Sequence, residues 1–305
     1  MRVTFAPPGA RQAHLGMLLW AMLVGLSFPA VGLVSEALPP LLLTSLRFII
    51  ASLALWALAR RAPDWWPSRR SLPLYSLMGL CLAGFFSTMF WAAHHTTALS
   101  MATLFVSVPL LAFVLGLAAG VERLAWRLPV ILALGAVGAL GLAWAESRNG
   151  STGLRFGLGE AGFFLGCISS AMYPVLSKWG LSREWLSQSA AVRTFWSLAI
   201  GAVLIGLVGL ALEPVANLGV MTPRDALLLV YLGLCSSALT FWLLQRATAA
   251  LTPGAVTAYN YLVPFVSMLL LFIQHPERTG WVWLPGSALV LTAIALLLRN
   301  GRVST

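Results

Sequence analysis

Ten stretches of this chain, at roughly 15–35, 40–59, 72–93, 98–119, 128–145, 158–178, 187–210, 226–246, 255–274 and 282–298, are apolar over nearly their whole length. Each approaches or exceeds the ~20 residues that an α-helix needs to cross the hydrocarbon of a bilayer. With 59% hydrophobic and only 9% charged residues in 305, the chain cannot clothe a soluble core in polar surface. The predicted fold class is therefore all-α integral membrane, with ten transmembrane helices joined by short links. The first run is read as retained rather than as a signal peptide. It is too long for one, no small-residue cleavage site follows it, and nine further spans do.

Orientation follows from the cations. With the N-terminus inside, the inner segments hold Arg2, Arg11, Arg60, Arg61, Arg69, Arg70, Arg123, Arg127, Lys178, Arg183, Arg246, Arg299 and Arg302, and the outer ones only Arg148, Arg155, Arg224 and Arg278. Both termini are thus expected in the cytoplasm of a cell whose plasma membrane, a bacterial inner membrane, holds the protein. The formal charge of +10 reports this topology and not a nucleic-acid partner. The longest inner loop, "RRAPDWWPSRRS", has the make-up of a segment lying on anionic headgroups. Cys81, Cys167 and Cys235 all fall within apolar runs without a CxxC or metal-ligand spacing, so they read as packing residues.

The chain repeats itself. "VPLLAFVLGLAAGVER", ending at Arg123, matches "VPFVSMLLLFIQHPER", ending at Arg278; "GLC" at 79–81 recurs at 233–235, "FP" at 28–29 as "YP" at 173–174, and Arg47 has a counterpart in Arg193. The unit has five spans, an odd number, so the second copy enters the membrane from the opposite side as an inverted-topology repeat. The expected organisation is a cytoplasmic tail over 1–14, a first repeat over 15–146, an external linker over 147–157, a second repeat over 158–298 and a cytoplasmic tail over 299–305.

A tryptophan-bearing first span with "GLSFPA", a proline and then an arginine in "LPPLLLTSLRF", and a proline thirteen residues before "ER" occur here in that order. This pattern resembles the drug/metabolite transporter superfamily, in its ten-helix EamA-type branch, from about residue 14 to 299. The resemblance implies a carrier that exports or exchanges amino acids, metabolites, sugars or drugs. One feature departs from it: where the family often has a lysine after "SFPA", this chain has Gly32 and Leu33, while the second copy keeps Lys178.

Arg47 lies eight residues past Pro39, about 12 Å down a helix rising ~1.5 Å per residue, and Arg193 is placed similarly from the other face. A cation at depth must face protein or a water-filled cavity. The expected role of both is structural or gating, as braces on free carbonyls; snorkelling and contact with an anionic cargo are the competing roles. Pro29, Pro109, Pro174 and Pro264 form two matched pairs, expected to act as kinks or hinges.

Polar and aromatic residues concentrate in spans 3, 4, 8 and 9, with "TAYNYLVP" the most polar cluster. The expected substrate-binding set is Trp20, Phe28, Phe86, Phe90, Phe105, Tyr173, Trp242, Tyr259 and Asn260, around a central cavity between the halves. All nine carboxylates sit in loops or at span ends, which points to a neutral, zwitterionic or anionic cargo and away from a buried acid for proton coupling. His94 and His95 read as a solvated turn. The glycines of 134–144 and 200–209 allow close helix approach, with span 5 pairing either with span 10 or with another subunit.

The expected function is a carrier that exports or exchanges a small amphipathic metabolite such as an amino acid by alternating access. No cofactor, metal or catalytic residue is expected, and the oligomeric state is left as monomer or homodimer. A lipid-linked substrate flippase and an integral-membrane enzyme are the alternatives.

Overall fold

The structure, a computed structural model, describes residues 9–147, 157–274 and 281–300. Both chain ends, nearly all of the predicted linker and the second "ER" at Glu277 and Arg278 lie outside the described residues.

Helix occupies every one of the ten predicted runs. In chain order the helices are α1 (Ala10–Gly32), α2 (Pro40–Ala59), α3 (Ser71–Ala93), α4 (Ala98–Phe105), α5 (Val108–Ala118), α6 (Arg127–Ser147), α7 (Leu158–Ser182), α8 (Ala190–Leu212), α9 (Pro223–Gly233), α10 (Thr240–Ala250), α11 (Pro253–Thr257), α12 (Leu262–Gln274) and α13 (Leu284–Asn300). Among the described residues there is no strand. Among the described residues eight continuous or composite helices are long and apolar enough to cross a membrane; α7, with Glu160 and Lys178, and the shorter α13 are the helices of the other two runs.

The interruptions follow from the prolines. The fourth run breaks between Phe105 and Val108, one residue before Pro109, whose ring displaces a hydrogen bond to the carbonyl of Phe105. The ninth run tightens to a 3-10 turn over Ala258–Tyr261 ahead of Pro264, so the two matched prolines mark matched breaks. Pro29 and Pro174 lie inside unbroken α1 and α7. A further irregularity had no signal in the sequence: the eighth run passes through a π-helical stretch, Leu234–Leu239, between α9 and α10.

Packing obeys the internal repeat. The helix of span 2 (α2) packs along that of span 7 (α8), and span 5 (α6) along span 10 (α13); exchanging the halves maps each pair onto itself. Span 3 on span 6 (α3 on α7) is matched by span 8 on span 1 (α10 on α1), and span 4 on span 6 (α5 on α7) by span 9 on span 1 (α12 on α1). Without a hydrophobic drive between helices in lipid, close backbone approach and polar bonds must hold such pairs. At the α6–α13 seam a Cβ built on Gly138 would stand 2.8 Å from the Gly286 carbonyl oxygen, and one on Gly286 would stand 2.8 Å from that of Gly138. Span 5 therefore takes span 10 as its partner within the chain. Leu53, Val114, Val137, Val203, Leu207 and Leu227 are exposed, a pattern that would be a liability in water and suits a surface facing acyl chains.

Candidate transport site

The two buried arginines are not equivalent. Arg193 on α8 is wholly enclosed and donates Nε to Gln245 Oε1 (3.0 Å), Nη2 to the Gln245 carbonyl (2.7 Å) and Nη1 to the Ser187 carbonyl (2.5 Å). Ser177 also donates to Gln245 Oε1 (2.6 Å), and Tyr75 accepts from the amide of Ser187 (3.3 Å). Arg193 thus ties α8 to α10 and to the turn before α8, all within the second half. Among the described residues Arg47 on α2 donates only Nε, to Ser237 Oγ (2.7 Å) in the π-helical stretch of the other half. Its guanidinium lies 5.4 Å from the Phe86 ring centre and 6.0 Å from that of Phe48.

Around Arg47 runs a continuous aromatic path. Phe105 lies 5.9 Å from Phe85, Phe85 5.2 Å from Phe86, Phe86 5.3 Å from Phe48, Phe48 6.0 Å from Phe241 and Phe241 5.8 Å from Tyr173. The path crosses from span 4 through spans 3, 2 and 8 to span 6, and so joins both halves. Phe48, Phe85 and Phe241, absent from the expected set, supply its middle. Ser237 and Gln245 were missed as well; an amide inside an apolar run of the repeat that holds Arg193 was the available signal for Gln245.

The nine expected binding residues divide by environment. Phe90, Phe105 and Trp242 are half-buried, and Trp242 packs against both the α1–α12 core and the α2–α3–α8 core while its face receives Arg246 at 5.4 Å. Phe86, Trp20 and Asn260 are largely buried, and Asn260 has no hydrogen-bond partner among the described residues. Tyr173 and Tyr259 are enclosed with committed hydroxyls: Tyr173 to Ser197 Oγ (2.9 Å), Tyr259 to His14 Nδ1 (2.8 Å). Phe28, 57% exposed, stands apart from the aromatic path. His14 is buried on α1 within what the sequence suggested was a tail, because α1 begins at Ala10.

Carboxylates at the span ends tie one half to the other. Glu213 accepts from the Leu41 and Leu42 amides (2.8 and 2.9 Å) at the start of α2, and Asp225 from the Ser35 amide (3.0 Å). Glu160 accepts from the Thr96 hydroxyl, and Glu122 from the Gly254 amide (3.0 Å) at the start of α11. A carboxylate suits such places because the first amides of a helix lack partners. Burial raises the pKa of Glu122, against the lowering effect of the Gly254 amide.

A groove of about 590 Å³ between α2 and α8, lined by Ile49, Leu53, Trp56, Phe195, Val203 and Leu207, is apolar and open to the side. In its lining Ser45 Oγ donates to the Ala202 carbonyl (2.8 Å) and lies against Gly206.

Comparison with known proteins places these features. The sequence model of the EamA-like transporter family matches residues 11–144 and again 157–299. The "Uncharacterized transporter YcxC" of Bacillus subtilis (strain 168) is 23% identical over 297 residues, covering 92% of this chain and 91% of its own. The "Probable terminal-alkyne amino-acid exporter" of Streptantibioticus cattleyicolor is 26% identical over 293 residues, covering 94% and 95%. A crystal structure described only as that of a protein shares the fold, with a TM-score of 0.74 at 22% identity over 96% of this chain and 97% of its own.

Proposed function

The chain belongs to the EamA-like transporter family, a membrane transporter and not an enzyme, and from that premise we propose that it carries a small amphipathic metabolite, an amino acid or a close relative, out of the cell or in exchange. The observation that carries the proposal is the aromatic path with Trp242 beside it: buried and half-buried rings that join two related halves, close to Arg47, whose terminal nitrogens lack a partner among the described residues. Rings of this kind offer apolar area and stacking at low entropic cost, and a few polar groups fix a ligand's orientation. The exporter relative, named for an amino acid, supports that cargo class.

In this proposal ten spans form two inverted five-helix halves, with α7 and α13 completing the count, and access alternates across the junction. The matched breaks near Pro109 and Pro264 are where spans 4 and 9 flex.

In proteoliposomes, Trp242→Ala and Asn260→Ala are expected to raise the half-saturating amino-acid concentration about tenfold each, the equivalent of ~1.4 kcal/mol of lost contact, with unchanged amounts of folded protein. Unaltered transport in both would remove them from the site.

The proposed orientation puts both termini and the 60–71 loop in the cytoplasm. A cysteine replacing the exposed Trp66, in a variant without the three native cysteines, is then expected to react with a membrane-impermeant maleimide only after the cells are opened. Labelling of intact cells would reverse the topology.

A further inference from the structure

We propose that Arg47 is the cargo-anion receptor of this carrier, selecting substrates that bear a carboxylate, whereas its repeat mate Arg193 is purely structural. The inference rests on the carrier function proposed above and specifies its substrate class.

It starts from a broken symmetry. Both halves place an arginine at the same depth, so the ancestral unit had one role for it. In the second half all three guanidinium nitrogens of Arg193 are spent on Gln245 and Ser187, and the side chain is sealed. In the register of the "GLC" match Gln245 falls opposite Trp91, which offers no carbonyl side chain and instead stacks on His95 at 4.4 Å. The first half therefore lacks the acceptor that would fix Arg47 in the same way.

Arg47 is left with one bond, from Nε to Ser237, and both terminal nitrogens lack a protein partner among the described residues. They are not sealed either, since the side chain is only half-buried. Among the described residues no carboxylate stands within ion-pair reach of it, although a guanidinium remains charged at any physiological pH. An unneutralised cation at this depth in a membrane is costly unless it faces water or receives an anion.

The position excludes a lipid headgroup as that anion. On α2 the exposed residues Ile49, Leu53 and Trp56 mark the side turned to acyl chains, and Arg47 leaves the helix on another side, against Phe86 of α3 and Ser237 of the second half. The anion must come from whatever occupies the junction between the halves. With Nε held by Ser237, the paired terminal N–H groups present a flat edge that matches the two oxygens of a carboxylate. Phe86 and Phe48 present their rings to the guanidinium at 5.4 and 6.0 Å and offer it no acceptor, so its terminal N–H groups are left for a polar ligand. An amino acid fits with its carboxylate on Arg47 and its side chain along the aromatic path.

Two measurements test this. Calorimetry on purified protein compares L-phenylalanine, L-leucine and L-tryptophan with phenethylamine, isoamylamine and tryptamine, which lack only the carboxylate. Wild type is expected to bind at least one acid about tenfold or more tightly than its amine, as a charge-assisted bond to a desolvated guanidinium implies. Arg47→Gln should lose that preference while melting close to wild type. Equal binding of acid and amine by the wild type would overturn the inference and leave the carrier function standing. Binding of no member of any pair would instead reject the amino-acid class.

The second measurement needs no cargo. In a variant lacking Cys81, Cys167 and Cys235, Arg47→Cys in membrane vesicles should react with the water-soluble anionic reagent sulfonatoethyl methanethiosulfonate. The buried native Cys167, kept as the sole cysteine of a parallel variant, should not. An unreactive thiol at position 47 in folded protein would overturn the inference, because a cargo could not reach it either.

Discussion

Arg193→Met is expected to leave almost no folded protein in the membrane. The substitution removes three donors at once and strands the Ser187 carbonyl and part of the Gln245 amide in an interior with no water to replace them. Breaking a buried charged network from one side costs about 3–5 kcal/mol, a large part of the 5–15 kcal/mol that holds a typical domain together. Arg193→Lys restores the charge but not the fork of donors, and should recover only part of the loss. A companion change separates this explanation from a simple cavity effect. Adding Gln245→Leu to Arg193→Met removes the side-chain oxygen that would be left with Ser177 alone, and the arginine–glutamine bond is then lost once rather than twice, so the double variant should be less destabilised than the two single losses summed. Yields of monodisperse protein after detergent extraction, and melting curves where protein survives, provide the measure. A double variant no better than the sum would show that the arginine–glutamine network is not the source of the loss.

Gly138→Leu is expected to be nearly as damaging, for a steric reason. A Cβ at 138 would meet the Gly286 oxygen and the Val290 nitrogen at 2.8 Å each, and both are backbone atoms that no rotamer change can move aside. Helices α6 and α13 must separate, and their remaining contacts go with the displacement. Overpacking costs about 1–3 kcal/mol or more, and with backbone on both sides of the clash the upper end applies. A chain of this size should lose about 5–10 °C of melting temperature. Gly141→Ala on the same helix is the control: its nearest neighbour, the Gly286 Cα, would lie at 3.4 Å, an ordinary contact, so it should melt close to wild type. Equal losses at the two positions would contradict the backbone-to-backbone seam.

The apolar runs alone set the helices, because in lipid a helix is fixed by the length and polarity of one segment without reference to its neighbours. The repeat and its prolines were legible for the same reason: Pro109 and Pro264 act through their own covalent geometry, and the breaks fall beside them. Small residues at 138 and 141 indicated close approach, but only the three-dimensional arrangement names Gly286 as the facing residue. What depends on a distant partner was hidden. Nothing in "LRF" or "VRT" distinguishes an arginine with three acceptors from one with a single bond, since the difference lies in Gln245 and Trp91, far along the chain. His14 was placed in a tail although its partner Tyr259 lies 245 residues away. By sequence the carboxylates sit outside span centres, yet the use of four of them as links between halves needed the fold, because Glu122, Glu213 and Asp225 meet amides and Glu160 a hydroxyl of the other repeat.

The two self-paired seams, α2 on α8 and α6 on α13, have a mechanical consequence. An operation that exchanges the halves sends each of these pairs into itself, so its axis must pass through both seams. In inverted repeats that axis lies in the plane of the membrane. At the α6–α13 seam backbone touches backbone, and no soft layer of side chains is left to shear. In the alternating access proposed above, the halves then turn against each other as a seesaw on a line strung between the two seams. Along that fulcrum displacement is smallest, and with distance from it the same small angle becomes a wide stroke. In the proposed carrier the ends of spans 3, 4, 8 and 9 are the long arms of this lever, and the ties of Asp225, Glu160 and Glu122 near those ends are small polar catches that water can replace when a face swings open.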